Sequence, residues 1–340
     1  MTTQRTRSAG RPTLDEVAAL AGVGRGTVSR VVNGSPQVSP EARSAVQEAI
    51  KELGYVPNRA ARALVTQRTD SVALVVSESQ ERVFTEPFFA GIVRGISSAL
   101  ADTSLQLWLA MAQTQGERQR IENHLTSQHV DGVLLVMLHE SDPLPQLLRQ
   151  RGLPTVLGGR PVNVDPQISY VDMDNVNGAR AAVEYLLASG RKRVATIAGP
   201  QDLGVGVDRL VGYRAAVQNA AVEPLIEFGD FSEYSGVDAM RRLLARRPDL
   251  DAVFVASDLM AAGAVRALRD NGRRIPEDVA VIGFEDSPVA RQTDPPLTTV
   301  YQPVEDMGRH MVRLLLSRIR GEDQPTHVLL DTHLVHRNSA

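Results

Sequence analysis

The sequence predicts an all-α helix-turn-helix head followed by an α/β body of two doubly wound subdomains. Three observations predict it. Between Thr13 and Gly54, three short helical patterns are separated by Gly and Asn-Gly stops. From Asp70 onward, fully apolar runs alternate with amphipathic stretches, and the alternation restarts after YVDMDN. Residues 1–69 carry ten Lys and Arg against five Asp and Glu, while the whole chain is −3, so a basic head precedes an acidic body. That charge layout is the electrostatic footprint of a nucleic-acid reader joined to something else.

The head reads in order. In TLDEVAALAGV, Thr13 is the expected N-cap and Glu16, three residues on, completes a capping box. Leu14, Val17, Ala18 and Leu20 make its apolar face, and Gly22 ends the helix. A second helix is expected from about Arg25 to Val32, stopping at Asn33-Gly34. Its start, GVGRG, is unusually small. Such a start suits a helix that enters a major groove about 12 Å wide with its N-terminal end leading. Arg25 can reach a guanine edge with its fork, and Thr27, Ser29 and Arg30 can hold phosphates or bases. A three-helix module that binds protein is the alternative. Ser39 then caps a third helix with Pro40 at its first position, and Gly54 ends it. Pro57 opens a short basic, alanine-rich segment, NRAARALVTQR, without a broad apolar face. The expected organisation is a head over 1–56, a linker over 57–69 and a body over 70–340.

In the body, SVALVV precedes FFAGIVRGISSAL, LQLWLAMA precedes ERQRIENHL, and GVLLVML precedes LPQLLRQ. After YVDMDN the same texture runs from GARAAVEYLLAS through RVATIAG and VFVAS to VAVIGF. Apolar runs flanked by helices read as parallel strands in βαβ units. The units suffice for two doubly wound subdomains. The first is expected over about 70–170 with 300–330, the second over about 171–299 with the C-terminal tail.

The composition narrows the function. A chain of 340 residues is long enough for two or three domains, and 43% apolar content is ordinary for a globular protein. No apolar run reaches ~18 residues, so no membrane partner is expected. MTTQRTRSAGRP lacks an apolar signal core, and the absence of cysteine fits a reducing cytoplasm and excludes Cys-zinc sites. An enzyme is the rival of another class, but GPQDLGVGVDR fits neither a dinucleotide fingerprint nor a P-loop, and no nucleophile elbow occurs. The seven histidines show no metal spacing. No cofactor and no metal are expected. A transport sugar-binding protein, a further alternative, would have no use for residues 1–64.

TLDEVAALAGVGRGTVSRVVNG, followed by VSPEARSAVQEAIKELGYVPNRAARAL, resembles the head of the lac-repressor (LacI) family. The later stretches DGVLL, YVDMDNVNGAR, RVATIAGP, DRLVGY, VFVASDLMAAGAVRAL, VAVIGFEDS and PPLTTVYQP resemble the family's periplasmic-binding-protein-like core. The resemblance implies operator DNA as partner, a small-molecule effector and a homodimer. It places Arg25 and Gly26 as the base-reading pair. Gly26 departs from the pattern, because it has no side chain to read a base, and leaves specificity there to Arg25 or to DNA shape. Thr13, Leu14, Thr27, Ser29, Arg30, Asn33 and Tyr55 match positions that touch backbone or base. Each is also open to a structural reading, Leu14 most of all. The segment YVPNRAARAL matches a hinge helix in which Leu64 is the minor-groove wedge and Asn58 and Ala61 line the same face.

Two similar subdomains joined by several crossings make a cleft that can close by hinge motion. The resemblance places Arg209 of DRLVGY as the ligand clamp, and a guanidinium fork suits paired hydroxyls or a carboxylate. It also points to Ser257, Asp258, Glu285, Phe231 as a stacking ring, Asp174, and Arg160 of GGRP. Asp258 reads equally as a helix cap. Phe88 and Phe89 open the first helix of the body toward the cleft, with one of the two expected in the core. Trp108, in LQLWLAMA, reads as core. GVGRGTVSRV, EPFFAGIV and GGRP further resemble actinobacterial repressors of cellulose and β-glucoside use (the CelR/CebR group), which implies cellobiose or a related β-glucoside as inducer. The sign of the coupling stays open, since corepressor-type members exist in the same family.

Overall fold

The computed structural model describes residues 12–56, 68–127, 129–163, 167–322 and 326–340. The chain divides into two units, residues 1–69 and 70–340.

Three helices build the head: α1 (Leu14–Ala21), α2 (Arg25–Val32) and α3 (Pro40–Leu53). The capping box forms as the sequence predicts. Glu16 N–H donates to Thr13 Oγ1 at 3.3 Å, and Thr13 N–H donates to Glu16 Oε2 at 2.8 Å. Gly22 stops α1 in the left-handed region (φ 65°), where a Cβ would be strained. Ala42 N–H donates to Ser39 Oγ at the start of α3. Val17, Val28, Val31, Val46 and Ala49 close a small core together with the ring of Tyr55. The β-branched run of α2 is weak helix sequence, but its Val28 and Val31 both enter this core, and packing outweighs propensity.

The body holds two six-stranded sheets. The first five strands are β1 (Ser71–Val76), β2 (Gln106–Met111), β3 (Gly132–Val136), β4 (Thr155–Gly158) and β5 (Ser169–Met173). The next five are β6 (Val194–Ala198), β7 (Leu225–Phe228), β8 (Ala252–Val255), β9 (Ala280–Glu285) and β10 (Thr298–Tyr301). The last two are divided between them: β11 (His327–Leu330) extends the first sheet and β12 (His333–Val335) the second. The order is β2-β1-β3-β4-β5-β11 in one sheet and β7-β6-β8-β9-β10-β12 in the other. The pairings are parallel except β10 with β12. Both faces of β1 are buried. Val72, Leu74 and Val76 meet Ile92, Ile96 and Met311, while Ala73 and Val75 meet Leu125 and Leu148. This two-sided burial is why the run SVALVV is apolar throughout.

The chain crosses between sheets near Asp174, Gln302 and Asp331. The first two crossings fall a few residues beyond the expected 170/171 and 299/300 boundaries. β5 continues to Met173 in register with β11, and β10 pairs with β9 through Tyr301. The helix Val304–Arg320 then returns to the first sheet, with Met311 and Leu315 in that sheet's core. No helix among the described residues is long and apolar enough to cross a membrane.

Candidate nucleic-acid interface and inter-subdomain cleft

In the head, α2 turns Val28 and Val31 inward and leaves Arg25, Gly26 and Arg30 exposed, with Thr27 and Ser29 half-buried beside them. Arg25 and Ser29 stand one turn apart, as do Gly26 and Arg30. The Arg25 side chain is 71% exposed, and its nearest acid is Asp15 at 3.7 Å. That is a weak surface pair, readily exchanged for a phosphate or a base edge. A Cβ at Gly26 would meet nothing within 4 Å, so the fold does not require glycine there. Other predicted residues have local work. Thr13 caps α1, Leu14 packs against the head core, and Tyr55 is buried in it. Asn33 ends α2 and its Nδ2 donates to Ser29 Oγ at 3.4 Å. Asn58, Ala61 and Leu64 lie outside the described residues.

In the body, a cleft of about 880 Å³, counted to its open mouth, lies between the two sheets. Its lining comes from the carboxyl ends of β1, β3, β4 and β5 on one side and of β6 to β10 on the other. In doubly wound sheets this is where loops part and ligands bind. Met137 (φ 55°), Phe231 (φ 73°) and Glu285 (φ 116°), all in the lining, hold strained left-handed backbone. Strain of this kind concentrates at functional sites.

Arg209, on the helix Gly204–Asn219, is the centre of the cleft's electrostatics. It is 2% exposed. Its Nε donates to Asn175 Oδ1 at 3.0 Å and its Nη1 to the Ala256 carbonyl at 2.5 Å. The guanidinium carbon lies 3.8 Å from the centre of the Phe284 ring. Burial lowers its pKa to about 10 against the opposing charges of Glu285, Asp172, Asp258 and Asp208, so it stays a cation at neutral pH. Glu285 approaches at 3.8 Å, and burial pushes its carboxyl up in spite of Arg209. Asp172 is raised to about 6, chiefly by burial; it accepts from Met173 N–H and from Asn175 Nδ2.

Several predicted residues therefore meet. Arg209, Glu285, Phe88, Phe231, Ser257 and Arg160 all line the cleft. Ser257 Oγ caps the helix Asp258–Asp270 by accepting from Met260 N–H, which leaves its O–H free to donate. Arg160 forks onto Asp208 of the second subdomain, with Nε 3.2 Å from Oδ2 and Nη2 bonded to Oδ1. Phe231 presents a face to the cleft and also closes the core over Gly199.

Two expectations need correction, and a third resolves as expected, with Phe89 as the core member of its pair. Asp174 is not in the lining. It caps the helix Asn175–Ala188, accepting from Asn177 N–H at 3.2 Å, and its neighbours Asp172 and Asn175 line the cleft instead. Asp258 is neither lining nor cap. It is fully buried, accepting from Thr299 Oγ1 at 2.6 Å and from Ser287 N–H at 2.8 Å, and so ties its helix to β10 and to the loop after β9. Phe89 is 2% exposed in the core of the first subdomain, edge-on to Phe88. Trp108 sits on β2, against the ring of His124.

Sequence reasoning missed Glu86, Asp172, Asn175 and Gln302. Gln302 follows β10 directly, so a rule of looking at every strand's carboxyl end finds it. Its Oε1 is buried without a hydrogen-bond partner, an acceptor that a ligand hydroxyl would satisfy. The cleft thus offers two internally neutralised cations, Arg209 and Arg160, several acceptors, a few donors and the apolar walls Phe88, Met137, Leu203, Phe231 and Met307. Such a set suits an uncharged, hydroxyl-rich ligand with an apolar face.

Comparison with known proteins agrees with this division. A model of bacterial regulatory proteins of the lacI family matches residues 13–58, and a periplasmic binding protein-like domain matches residues 183–340. The HTH-type transcriptional regulator CelR of Thermobifida fusca is 58% identical over 97% of this chain and 98% of its own length. A transcriptional regulator CelR–cellobiose complex superposes with a TM-score of 0.78 at 56% identity, covering 97% of this chain and 100% of that one. The lac repressor dimer bound to operator and the anti-inducer ONPF gives 0.85 at 29% identity, covering 97% and 99%. The chain belongs to the lacI family of bacterial regulatory proteins.

Proposed function

We propose that this chain is a cytoplasmic, homodimeric transcriptional repressor that binds a palindromic operator and is released by cellobiose or a related β-glucoside. The observation that carries this reading is the cleft at the carboxyl ends of both sheets. Arg209 there is held by Asn175 and Ala256 and neutralised by carboxylates, a setting made for sugar hydroxyls rather than for an anion. The 58% identity to CelR supports the sugar class. In this reading α2 enters the major groove with Arg25 leading, Thr27, Ser29 and Arg30 hold bases or phosphates, and Thr13, Leu14, Asn33 and Tyr55 fix the head beside the backbone. Residues 57–69 form the hinge. Leu64 wedges into the central step, with Asn58 and Ala61 beside it. Effector binding draws the subdomains together and unsettles the paired hinges, which requires a coupling of about 1–3 kcal/mol.

Fluorescence anisotropy tests this on a labelled palindromic operator with a central CG step, at fixed salt because phosphate contacts make affinity salt-dependent. Cellobiose is expected to release the operator, while maltose and a purine base leave it bound. Binding that cellobiose does not disturb, or that it tightens, overturns the inducer assignment. Leu64→Ala is expected to weaken operator binding and leave cellobiose affinity, measured by calorimetry, within about twofold. Equal loss of both overturns the hinge assignment.

A further inference from the structure

We infer that Arg82 is a positioning residue of the cleft: it holds Glu86 in the lining and takes Asp230, on the opposite subdomain, as its third partner when the cleft closes. The inference rests on the reading of this cleft as the effector site.

Arg82 lies in the helix Gln80–Thr85, just after β1. Glu78 and Glu86 stand one turn to either side. Nη1 donates to Glu78 Oε1 at 2.6 Å and Nε to Glu86 Oε1 at 2.6 Å. Two charge-assisted bonds therefore fix the plane of the guanidinium on its own subdomain. One consequence is direct, because Glu86 lines the cleft and Arg82 sets where its carboxylate points. The other concerns Nη2, which is buried and has no hydrogen-bond partner. A buried donor without an acceptor is destabilising, so a conformation that supplies one is favoured.

Asp230 is the acid placed to supply it. It lies between β7 and the helix Glu233–Arg246, next to the cleft wall at Phe231. One carboxylate oxygen accepts from Ser232 N–H at 2.9 Å. Its charge reaches across the mouth. It adds to the upward shift of Glu86, which burial dominates, and it helps Glu86 and Glu78 hold Arg82 above its usual value against burial. In return, burial pushes the Asp230 carboxyl up, but bonds to Ser232 and Ser235 and the charge of Arg82 bring it below the usual range. No hydrogen bond or ion pair joins Arg82 to Asp230.

Two neighbouring polar pairs between the same subdomains are already joined. His139 Nδ1 lies 2.6 Å from Asp202 Oδ2, and Arg160 forks onto Asp208. Arg82 keeps a buried, unpartnered Nη2 and Asp230 is an acid of the opposite subdomain that is not yet joined to it, so their bond is the one that closure adds. A contact made only in the closed state raises effector affinity without touching the effector.

A double-mutant cycle on the full chain tests this with cellobiose as probe. Asp230→Asn keeps the shape and the acceptor for Ser232. It is expected to weaken cellobiose binding about tenfold, and Asp230→Glu to restore most of the loss. In an Arg82→Gln background the same Asp230→Asn change is expected to cost less than twofold. Full additivity overturns the pairing. So does loss on Arg82→Gln with none on Asp230→Asn, which would mean that Nη2 serves the sugar itself. The chain has no cysteines, so nitroxides at Gln119→Cys and Glu223→Cys can report the distance between subdomains. If the parent chain binds no cellobiose, the effector reading fails, and the clamp is judged by this distance in sugar-free protein. Asp230→Asn must then remove short distances, and an unchanged distribution overturns the clamp.

Discussion

The head and the cleft solve opposite electrostatic problems. On the head, Arg25 and Arg30 stand in water with at most a distant carboxylate beside them. In the cleft, Arg209 is buried, bonded twice and surrounded by acids. On the proposed function, the difference follows from the ligand. DNA brings its own negative charge and releases counterions, so an exposed arginine needs no protein partner before binding. A sugar brings no charge, so a buried arginine offered to it must be neutralised by the protein itself. Function on the head therefore lies on the surface of a small core, while function in the body is part of the body's stability.

The largest expected effect comes from deleting each cation. Arg209→Met leaves Asp172, Asp258 and Glu285 without their common countercharge. It is expected to abolish sugar binding, a loss of more than about 100-fold, and to destabilise the body by about 3–5 kcal/mol. Arg25→Met is expected to cost about 1–3 kcal/mol of operator discrimination and to move the melting temperature hardly at all. Scanning calorimetry together with operator anisotropy separates the two. If Arg25→Met unfolds the protein as Arg209→Met does, the contrast between surface and interior function is wrong.

A single chemical change with opposite signs sharpens the comparison. A Cβ at Gly204 would collide with the Arg160 carbonyl, and at Gly26 it would meet open space. Gly204→Ala must push the two subdomains apart, so a loss of about 1–3 kcal/mol and weaker sugar binding are expected. Gly26→Ala is expected to stabilise the head by about 0.5 kcal/mol, since alanine loses less freedom in a helix. Equal signs in urea denaturation would show that Gly204 is not a point of contact between subdomains.

The same contrast explains what was legible beforehand. The head could be read almost residue by residue, because caps, stops and the inward Val28 and Val31 are set by neighbours three or four positions away. The βαβ order of the body was legible for a similar reason, since each unit repeats one local pattern. The cleft was legible only where a family motif marked it. Asp172 and Asn175 flank Asp174, yet the motif cannot say which of these polar side chains turns inward. That depends on β5 pairing with strands about 15 and 160 positions away, and on Asp174 being taken by its own helix. Asp258 is decided by Thr299 and Ser287, partners that no local spacing reveals. Gln302 was hidden because a glutamine after a strand has no signature until its oxygen is seen to be buried and unmet.

A more gradual effect is a dependence on pH that belongs to the body alone. Burial raises the carboxyls of Asp172, Asp258 and Glu285, Asp172 to about 6. In the unfolded chain such groups ionise near pH 4. Between that pH and their raised values, the native state holds protons that the unfolded state has released. Stability from these groups is therefore complete below about pH 4 and falls as pH rises through 6 and beyond, by on the order of 1 kcal/mol between pH 5.5 and 8. In the head the resolved shift runs the other way. Its Glu41 is shifted downward, by hydrogen bonding from its own backbone N–H and from Ser39, so its titration lies below the range. Urea midpoints of the body at pH 5.5 and 8 are expected to decrease, and Glu285→Gln, neutral throughout, to flatten the slope. A rise toward pH 8 would mean that Arg209 holds these carboxylates ionised in the native state. Those carboxylates would then oppose Arg209 with full charge at every pH in this range, and the neutralisation of the buried arginine would not weaken as the pH falls.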